Sequence, residues 1–221
     1  MLHRTRIKIC GLTRAEDVRA AVSYGADALG FVFYPESPRY VTPLQAAALL
    51  SHVPPFVTTV GLFVNASVEY IVSTVAAAPV ALLQFHGDET AEQCHQLASA
   101  VNRPFTRAFR VKADTAPADL LECEKIYRAA SPLFCGLLLD TFVESFGGSG
   151  KVFDWSLIPK ELAPRAVLSG GLSVQNATDA VSRVRPFAVD ISSGVEQGKG
   201  IKDDAKLRAF IQAVRLADNQ G

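Results

Sequence analysis

Eight short runs rich in β-branched and aromatic residues recur along this chain: "IKICGL", "DALGFVF", "FVTTVGLFV", "ALLQFHG", "FTRAFRV", "FCGLLLD", "RAVLSGG" and "FAVDISSG". Between them the apolar period changes to that of amphipathic helices, at residues 14–24, 43–52, 67–77, 89–101, 114–129, 175–184 and 203–217. A sixth helix, between the glycine-rich stretch and Pro159, is the least distinct. Several segments open with helix-start chemistry. Ser67 precedes Glu69 and the stripe Ile71, Val72 and Val75, and Pro43 sits where a first turn tolerates proline. Runs that are apolar throughout suit strands buried on both faces, as in a parallel sheet covered by helices. Alternation of such strands with helices makes the class α/β. A doubly wound open sheet and a closed barrel both satisfy the pattern. Eight βα units of roughly 22 to 30 residues favour the barrel. No break in composition divides the chain, so the expectation is a single (β/α)8 TIM barrel domain over residues 1–221.

Composition removes several classes of function. Lys plus Arg and Asp plus Glu both number 22, so the chain lacks the basic excess of a nucleic-acid or membrane-surface protein. No apolar run reaches the length of about 18 residues that a membrane span needs, and the basic start "MLHRTRIKIC" is not followed by a signal-peptide core. The four cysteines, Cys10, Cys94, Cys123 and Cys135, form neither C-x-x-C pairs nor a disulfide framework. A reduced cytoplasmic protein is expected, with no nucleic-acid or membrane partner.

The unusual residues gather at the downstream ends of the runs: Cys10, Tyr34 to Arg39, Asn65, His86, Asp140, Ser169 to Gly171 and Ser192 to Gly194. The upstream connections "SYGAD", "HVPPF" and "SRVRPF" read as ordinary turns. In a barrel all downstream strand ends meet at one rim, where active sites are built. "LSGGLS" and "DISSGVE" end the seventh and eighth runs. A lone pair of glycines is mostly a turn, but glycine-rich loops in these two positions of a barrel often bind phosphate through backbone N–H groups. Gly170, Gly171, Ser192, Ser193 and Gly194 are therefore candidate phosphate ligands. "GGSGK" at 147–151 resembles a nucleotide-binding loop, but Val152 stands where a magnesium-binding hydroxyl belongs, so a lid hinged on small residues is the better reading.

Taken singly, each remaining candidate also has a structural reading. Asp140 could cap a turn. Alternation sets it on one face with Leu138, so if Leu138 fills the barrel, Asp140 points into the mouth. Partial desolvation there would raise its carboxyl from about 3.9 and suit it to donate a proton. A cysteine in an apolar run is more often inert core, the reading given to Cys94, Cys123 and Cys135. Cys10 differs because Lys8 lies two positions earlier on the same face, and an ammonium there would lower the thiol from about 8.5. If the sheet closes, the first strand borders the eighth and Lys8 can also pair with Asp190. Arg39, in a loop stiffened by prolines, offers a planar fork for a carboxylate. His86 shares its strand face with Gln84 and reads as a rim residue or substrate contact. No metal-binding spacing surrounds it, so no metal is expected.

Together the motifs resemble phosphoribosylanthranilate isomerase, an enzyme family of tryptophan biosynthesis. The resemblance rests on "KICGLT", "GADALGFVFYPESPRYV", "VGLFVN", "LQFHGDE", "LLLDT", "GGSGKVFDW", "LSGGL" and "PFAVDISSGVE" with "KD" downstream. These stretches run in order through nearly the whole chain, while residues 105–130 and the C-terminal helix add little. The segment "EQGKGIKD" departs from the family in lacking the proline that members often carry before this glycine. The resemblance implies a (β/α)8 barrel and an Amadori rearrangement of N-(5-phosphoribosyl)anthranilate to 1-(2-carboxyphenylamino)-1-deoxyribulose 5-phosphate. It implies Cys10 as general base, Asp140 as general acid and Arg39 on the anthranilate carboxylate, with the two serine-glycine loops on the phosphate. His86 and Asp190 are taken as further substrate-binding residues. No cofactor is implied, and the chain could act as a monomer or a homodimer.

Two other readings compete. A sugar-phosphate epimerase, or the aminoaldose isomerase of histidine synthesis, would use carboxylate pairs or a metal rather than this cysteine and aspartate. A non-catalytic phosphate-binding module would keep Cys10 as a structural thiol.

Overall fold

Helix starts in this chain carry their own punctuation. Thr42 and Thr90 each accept a hydrogen bond from the backbone N–H three residues on, and Gln45 and Gln93 Oε1 accept one from the cap residue's own N–H. Ser67 does the same for Tyr70 N–H. The computed structural model describes residues 4–141 and 152–219. The order is β1 (Arg6–Cys10), α1 (Ala15–Tyr24), β2 (Ala28–Val32), α2 (Pro43–Leu50), β3 (Thr58–Phe63), α3 (Val68–Ala77) and β4 (Leu82–Phe85). There follow α4 (Ala91–Val101), β5 (Phe105–Val111), α5 (Pro117–Ala130), β6 (Phe134–Thr141), β7 (Val167–Leu168), α6 (Ala177–Val184), β8 (Ala188–Ile191) and α7 (Asp204–Asp218). The eight expected runs and the seven delimited helical segments appear, with ends shifted by a few residues. Between β6 and β7 the described residues form two short 3-10 turns, Trp155–Leu157 and Ala163–Arg165, in place of a sixth α-helix. Pro159 and Pro164 interrupt that segment and deny it the N–H groups of a longer helix. The stretch 147–151, with the lid expected over 142–151, lies outside the described residues.

β1 to β8 close into one parallel barrel, with β8 returning to β1. The strand residues divide by alternation. Ile7, Ile9, Leu29, Phe31, Phe63, Phe85, Phe105, Leu137 and Leu139 face outward into the apolar layer under the helices. An aromatic series runs through that layer, with ring centroids 5.4 Å apart for Phe85 and Phe105 and 5.6 Å for Phe105 and Phe134. The inward set includes Lys8, Cys10, Val32, Leu62, Gln84, Leu138, Asp140 and Asp190. Of this set Cys10, Gln84, Asp140 and Asp190 line the cavity at the downstream rim, together with the apolar Val32 and Leu62.

The upstream end holds the chain termini together. Asp218, in the last turn of α7, accepts Thr5 N–H at 3.0 Å and the Thr5 hydroxyl at 2.7 Å. Arg215 donates to Thr5 O at 2.6 Å and to Asp27 at 3.0 Å. One upstream connection is not an ordinary turn. Phe56, after Pro54 and Pro55, has φ 70° and a completely exposed ring. This left-handed conformation is disfavoured for a bulky side chain and costs of order 1 kcal/mol or more.

The Asp218 contacts generate a stability prediction. Asp218→Ala should lower the unfolding free energy by about 2 kcal/mol, because it removes charge-assisted bonds to a buried residue. Urea denaturation would show this as a lower midpoint with unchanged slope. An unchanged midpoint would mean that α7 is held by its apolar face alone.

Candidate active site

A cavity opens at the downstream rim, and its wall is drawn from loops far apart in sequence. Cys10, Arg39, His86, Asp140, Gly170, Gly171, Asp190, Ser192 and Ser193 all line it. Of the candidates named from sequence, only Gly194 is off the wall. A Cβ on Gly194 would lie 2.0 Å from Leu172 O, so glycine is needed there because the loops after β7 and β8 abut. Tyr34, Ser37, Leu62, Val64 and Gln84 add to the lining.

Cys10 ends β1 directly opposite Gly30 of β2. A Cβ on Gly30 would stand 2.8 Å from the Cys10 sulfur and 3.1 Å from Lys8 Nζ, so the missing side chain makes room for both. Lys8 pairs across the barrel seam with Asp190, Nζ to Oδ1 at 2.8 Å, with both side chains buried. The pairing expected from strand closure is present. The expected lowering of the Cys10 thiol is not. Burial pushes the Cys10 thiol up, and the Lys8 ammonium opposes this without overcoming it. Lys8 is itself paired with Asp190, whose negative charge also works against the thiolate. In this environment Cys10 is a thiol that ionises reluctantly and, once ionised, is a strong base. Burial likewise pushes Cys94 up to about 12 and Cys123 to about 11, and neither lines the cavity.

Asp140 lies on β6, separated from β1 around the barrel by β7 and β8. Its side chain is one-quarter exposed. Donors face both of its oxygens. Thr141 N–H donates to Oδ1 at 2.9 Å, and His86 Nε2 lies 3.1 Å from Oδ2. His86 Nδ1 in turn meets the Gln84 amide at 3.0 Å, as the shared strand face implied. His86 thus bridges Gln84 and Asp140 through its two ring nitrogens. The His86 backbone is fixed from behind. Arg107 donates Nη1 to Phe85 O at 3.1 Å and Nη2 to Gly87 O at 3.0 Å, gripping the residues on either side. Arg107 was not singled out in the sequence, where "FTRAFRV" shows only an arginine in a strand.

Gly170 and Gly171 have φ 78° and 67°, conformations that L side chains rarely adopt. Their N–H groups have no acceptor among the described residues. A Cβ on Gly170 would come within 2.6 Å of Asp140 Oδ1, which ties this loop to the carboxylate. Across from it Ser192 and Ser193 follow β8. The Arg39 fork expected to be open is half occupied. Nε and Nη2 each donate at 2.8 Å to the two oxygens of Glu196, leaving the Nη1 edge outside that pair. Glu196 begins a two-stranded hairpin, β9 (Glu196–Gly198) and β10 (Ile201–Lys202), that the sequence reading missed. Lys202, fully buried, donates to Glu196 at 2.9 Å and to Ser192 O at 3.1 Å. The only sequence signals for these two residues were the last letter of "SSGVE" and the "KD" downstream.

The arrangement sets the Cys10 sulfur and the Asp140 carboxyl on the wall of one cavity, together with the Gly170–Gly171 and Ser192–Ser193 loops and the Arg39 guanidinium. Among the described residues no group of three or more His, Cys, Asp or Glu is placed to hold a metal. None of the described helices is long and apolar enough to cross a membrane.

Residues 7–213 match the family model described as N-(5'phosphoribosyl)anthranilate (PRA) isomerase. The N-(5'-phosphoribosyl)anthranilate isomerase of Herminiimonas arsenicoxydans is 69% identical over 218 residues, covering 99% of this chain and 96% of that protein. A crystal structure of phosphoribosyl anthranilate isomerase from Thermotoga maritima is 42% identical with a TM-score of 0.83, over 96% of this chain and 98% of that one. A structure of the isomerase with reduced 1-(o-carboxyphenylamino)-1-deoxyribulose 5-phosphate is 39% identical with a TM-score of 0.81, at the same coverage. On fold, extent of match and identity, this chain belongs to the phosphoribosylanthranilate isomerase family.

Proposed function

We propose that the chain, as one barrel domain over residues 1–221, converts N-(5-phosphoribosyl)anthranilate to 1-(2-carboxyphenylamino)-1-deoxyribulose 5-phosphate in tryptophan biosynthesis, a cytoplasmic pathway, with no cofactor. The observation that carries this reading is that Cys10 and Asp140 share one cavity wall with the glycine loops and Arg39. Three chemically different demands are thereby met at once: a base, an acid and two anion sites.

The protons balance on these two side chains alone. Asp140, as the carboxylic acid, protonates the ribose ring oxygen, and the C1–O bond breaks to leave an iminium between C1 and the anthranilate nitrogen. The C2 proton is then acidic because its bonding electrons flow toward that nitrogen. Cys10, as the thiolate, removes it and leaves an enolamine. The C2 hydroxyl next returns its proton to Asp140 while Cys10 delivers its own to C1, forming the ketone. One proton has moved from C2 to C1 through sulfur and one from O2 to the ring oxygen through the carboxyl. Both groups end as they began. Backbone N–H groups of Gly170 and Gly171 and the Ser192–Ser193 loop hold the phosphate, and the free edge of Arg39 takes the anthranilate carboxylate. His86 and Asp190 serve the substrate pocket from its wall, His86 through Asp140 and Asp190 through Lys8.

Following the fluorescence of phosphoribosylanthranilate as it is consumed tests the reading directly. Cys10→Ala and Asp140→Ala should each lower kcat at least about a hundredfold, with affinity for the reduced product nearly unchanged. Either variant turning over like wild type would remove the assigned role, and a wild type without turnover would leave only a binding module. Arg39→Lys should raise KM by about tenfold, since an ammonium cannot serve Glu196 and a ligand carboxylate together. An unchanged KM would move the carboxylate site elsewhere.

The protonation of Cys10 has its own signature. Because burial raises the thiol, alkylation of Cys10 by iodoacetamide in the ligand-free protein should rise with an apparent pKa above the ordinary thiol value of about 8.5. Peptide mapping of the alkylated residue across a pH series would show it, and a midpoint below that value would mean that Lys8 dominates after all.

A further relative is a structure of monomers of a dimeric phosphoribosylanthranilate isomerase from Thermotoga maritima, 36% identical with a TM-score of 0.79. The bare Phe56 ring at the upstream end supports a homodimer for this chain too. Sedimentation velocity should then show a dimer that Phe56→Ser converts to monomers; a monomeric wild type would refute it.

A further inference from the structure

The geometry points to Glu196 as a positioning residue that holds both anion-binding ends of the cavity, the Arg39 guanidinium and the Ser192 loop, in one fixed arrangement. The inference rests on the proposed substrate, whose carboxylate and phosphate need these two ends.

The contacts form a chain. Glu196 Oε1 accepts from Arg39 Nε at 2.8 Å and from Lys202 Nζ at 2.9 Å, and Oε2 accepts from Arg39 Nη2 at 2.8 Å. Lys202 spends its remaining ammonium protons on Ser192 O at 3.1 Å and Ser192 Oγ at 3.3 Å. The Glu196 side chain is 6% exposed and that of Lys202 not at all, so these bonds are formed away from competing water. Each contact has a consequence in the cavity. Fixing the Nε–Nη2 edge of Arg39 sets the plane of the guanidinium and turns its Nη1 edge to a ligand. Making Ser192 Oγ an acceptor from Lys202 leaves its own O–H to donate to an anion.

The neighbours confirm that little slack exists. Gly11, with φ 72°, lies between the two ends, and a Cβ there would stand 2.4 Å from Arg39 Cδ and 3.0 Å from Ser192 Oγ. The hairpin that carries Glu196 and Lys202 is pinned on its far side. Lys202 N–H donates to Asp17 at 3.1 Å, and Thr13 Oγ1 donates to Gly200 O at 2.5 Å. Charge agrees with this use. Two cations share one carboxylate, leaving a net positive charge beside a cavity that is to receive two anions.

The test compares three ligands on one protein by calorimetry: the reduced product, its analogue without the carboxylate and its analogue without the phosphate. The ratio of dissociation constants for each deletion measures what that end contributes. In Glu196→Gln both ratios should shrink by about tenfold relative to wild type. In Lys202→Met the phosphate ratio should shrink while the carboxylate ratio stays within about threefold. A merely structural Glu196 would change the denaturation midpoint and leave both ratios alone, and that result overturns the inference. So does a loss confined to the carboxylate ratio, which would make Glu196 a partner of Arg39 only. If Glu196→Gln does not fold, Glu196→Asp, which keeps the charge but not the reach, should shrink both ratios, and wild-type ratios in it overturn the inference. A wild type whose binding is indifferent to both deletions sinks the proposed function itself and this inference with it.

Discussion

The seam where β8 meets β1 is closed over a buried ion pair, and both the register of the barrel and the character of its site follow from that pair. Lys8 stands opposite Asp190, Nζ to Oδ1 at 2.8 Å, with less than a tenth of either side chain exposed. Such a pair gives little net stability, because removing two charges from water offsets their attraction. Its effect is selective. A slip of one residue would set Lys8 against Val189 or Ile191 and leave two buried charges apart, a penalty of several kcal/mol. The closing register is therefore specified by what the alternatives would cost. The same pair fills the barrel directly beneath Cys10, so the element that defines closure also sets the field around the sulfur.

Confinement of polarity to one rim follows from how the strands are written. Cys10, Asp140 and Asp190 stand at or next to the downstream ends of β1, β6 and β8, and His86 and Ser192 follow β4 and β8 directly. A parallel barrel sends all those ends the same way. Local order is then bought from behind the wall: Arg107 grips the carbonyls on either side of His86, and glycines at 30 and 170 clear space for the sulfur and the carboxylate. The proposed catalytic groups Cys10 and Asp140 are thus placed by strands, and the proposed binding groups by loops braced against one another.

Much of this was legible in the order of residues. The change between strand and helix periods predicted every strand of the barrel, the downstream position of Cys10, Asp140 and His86 predicted their meeting, and closure of the sheet predicted the pairing of Lys8 with Asp190. Those features depend on local pattern and one topological rule. The parts that escaped depend on contacts distant in sequence. Glu196 and Lys202 look like solvent charges in "SSGVEQGKGIKD" until a hairpin folds them under Arg39, 157 positions from Glu196. Arg107 becomes structural only through the carbonyls of another strand. The segment from Trp155 to Arg165 failed as a helix because Pro159 and Pro164 outweigh its apolar residues. The error over Cys10 was one of sign between two real effects: the ammonium and its pairing with Asp190 were visible in the sequence, while the larger effect of burial was not.

That sign matters for the proposed chemistry. A thiol held above its ordinary range is ionised in a small fraction of molecules, yet its thiolate is the stronger base for being scarce. The scarcity is relieved at the step where base is needed. Opening of the ribose ring creates an iminium one bond from the carbon to be deprotonated, and a positive charge brought into a dry cavity favours the thiolate beside it. The Lys8 ammonium also favours the thiolate, but burial outweighs it and Asp190 works against it. On this account the substrate supplies the charge that readies its own base, and the ligand-free site keeps its sulfur protonated and less open to oxidation.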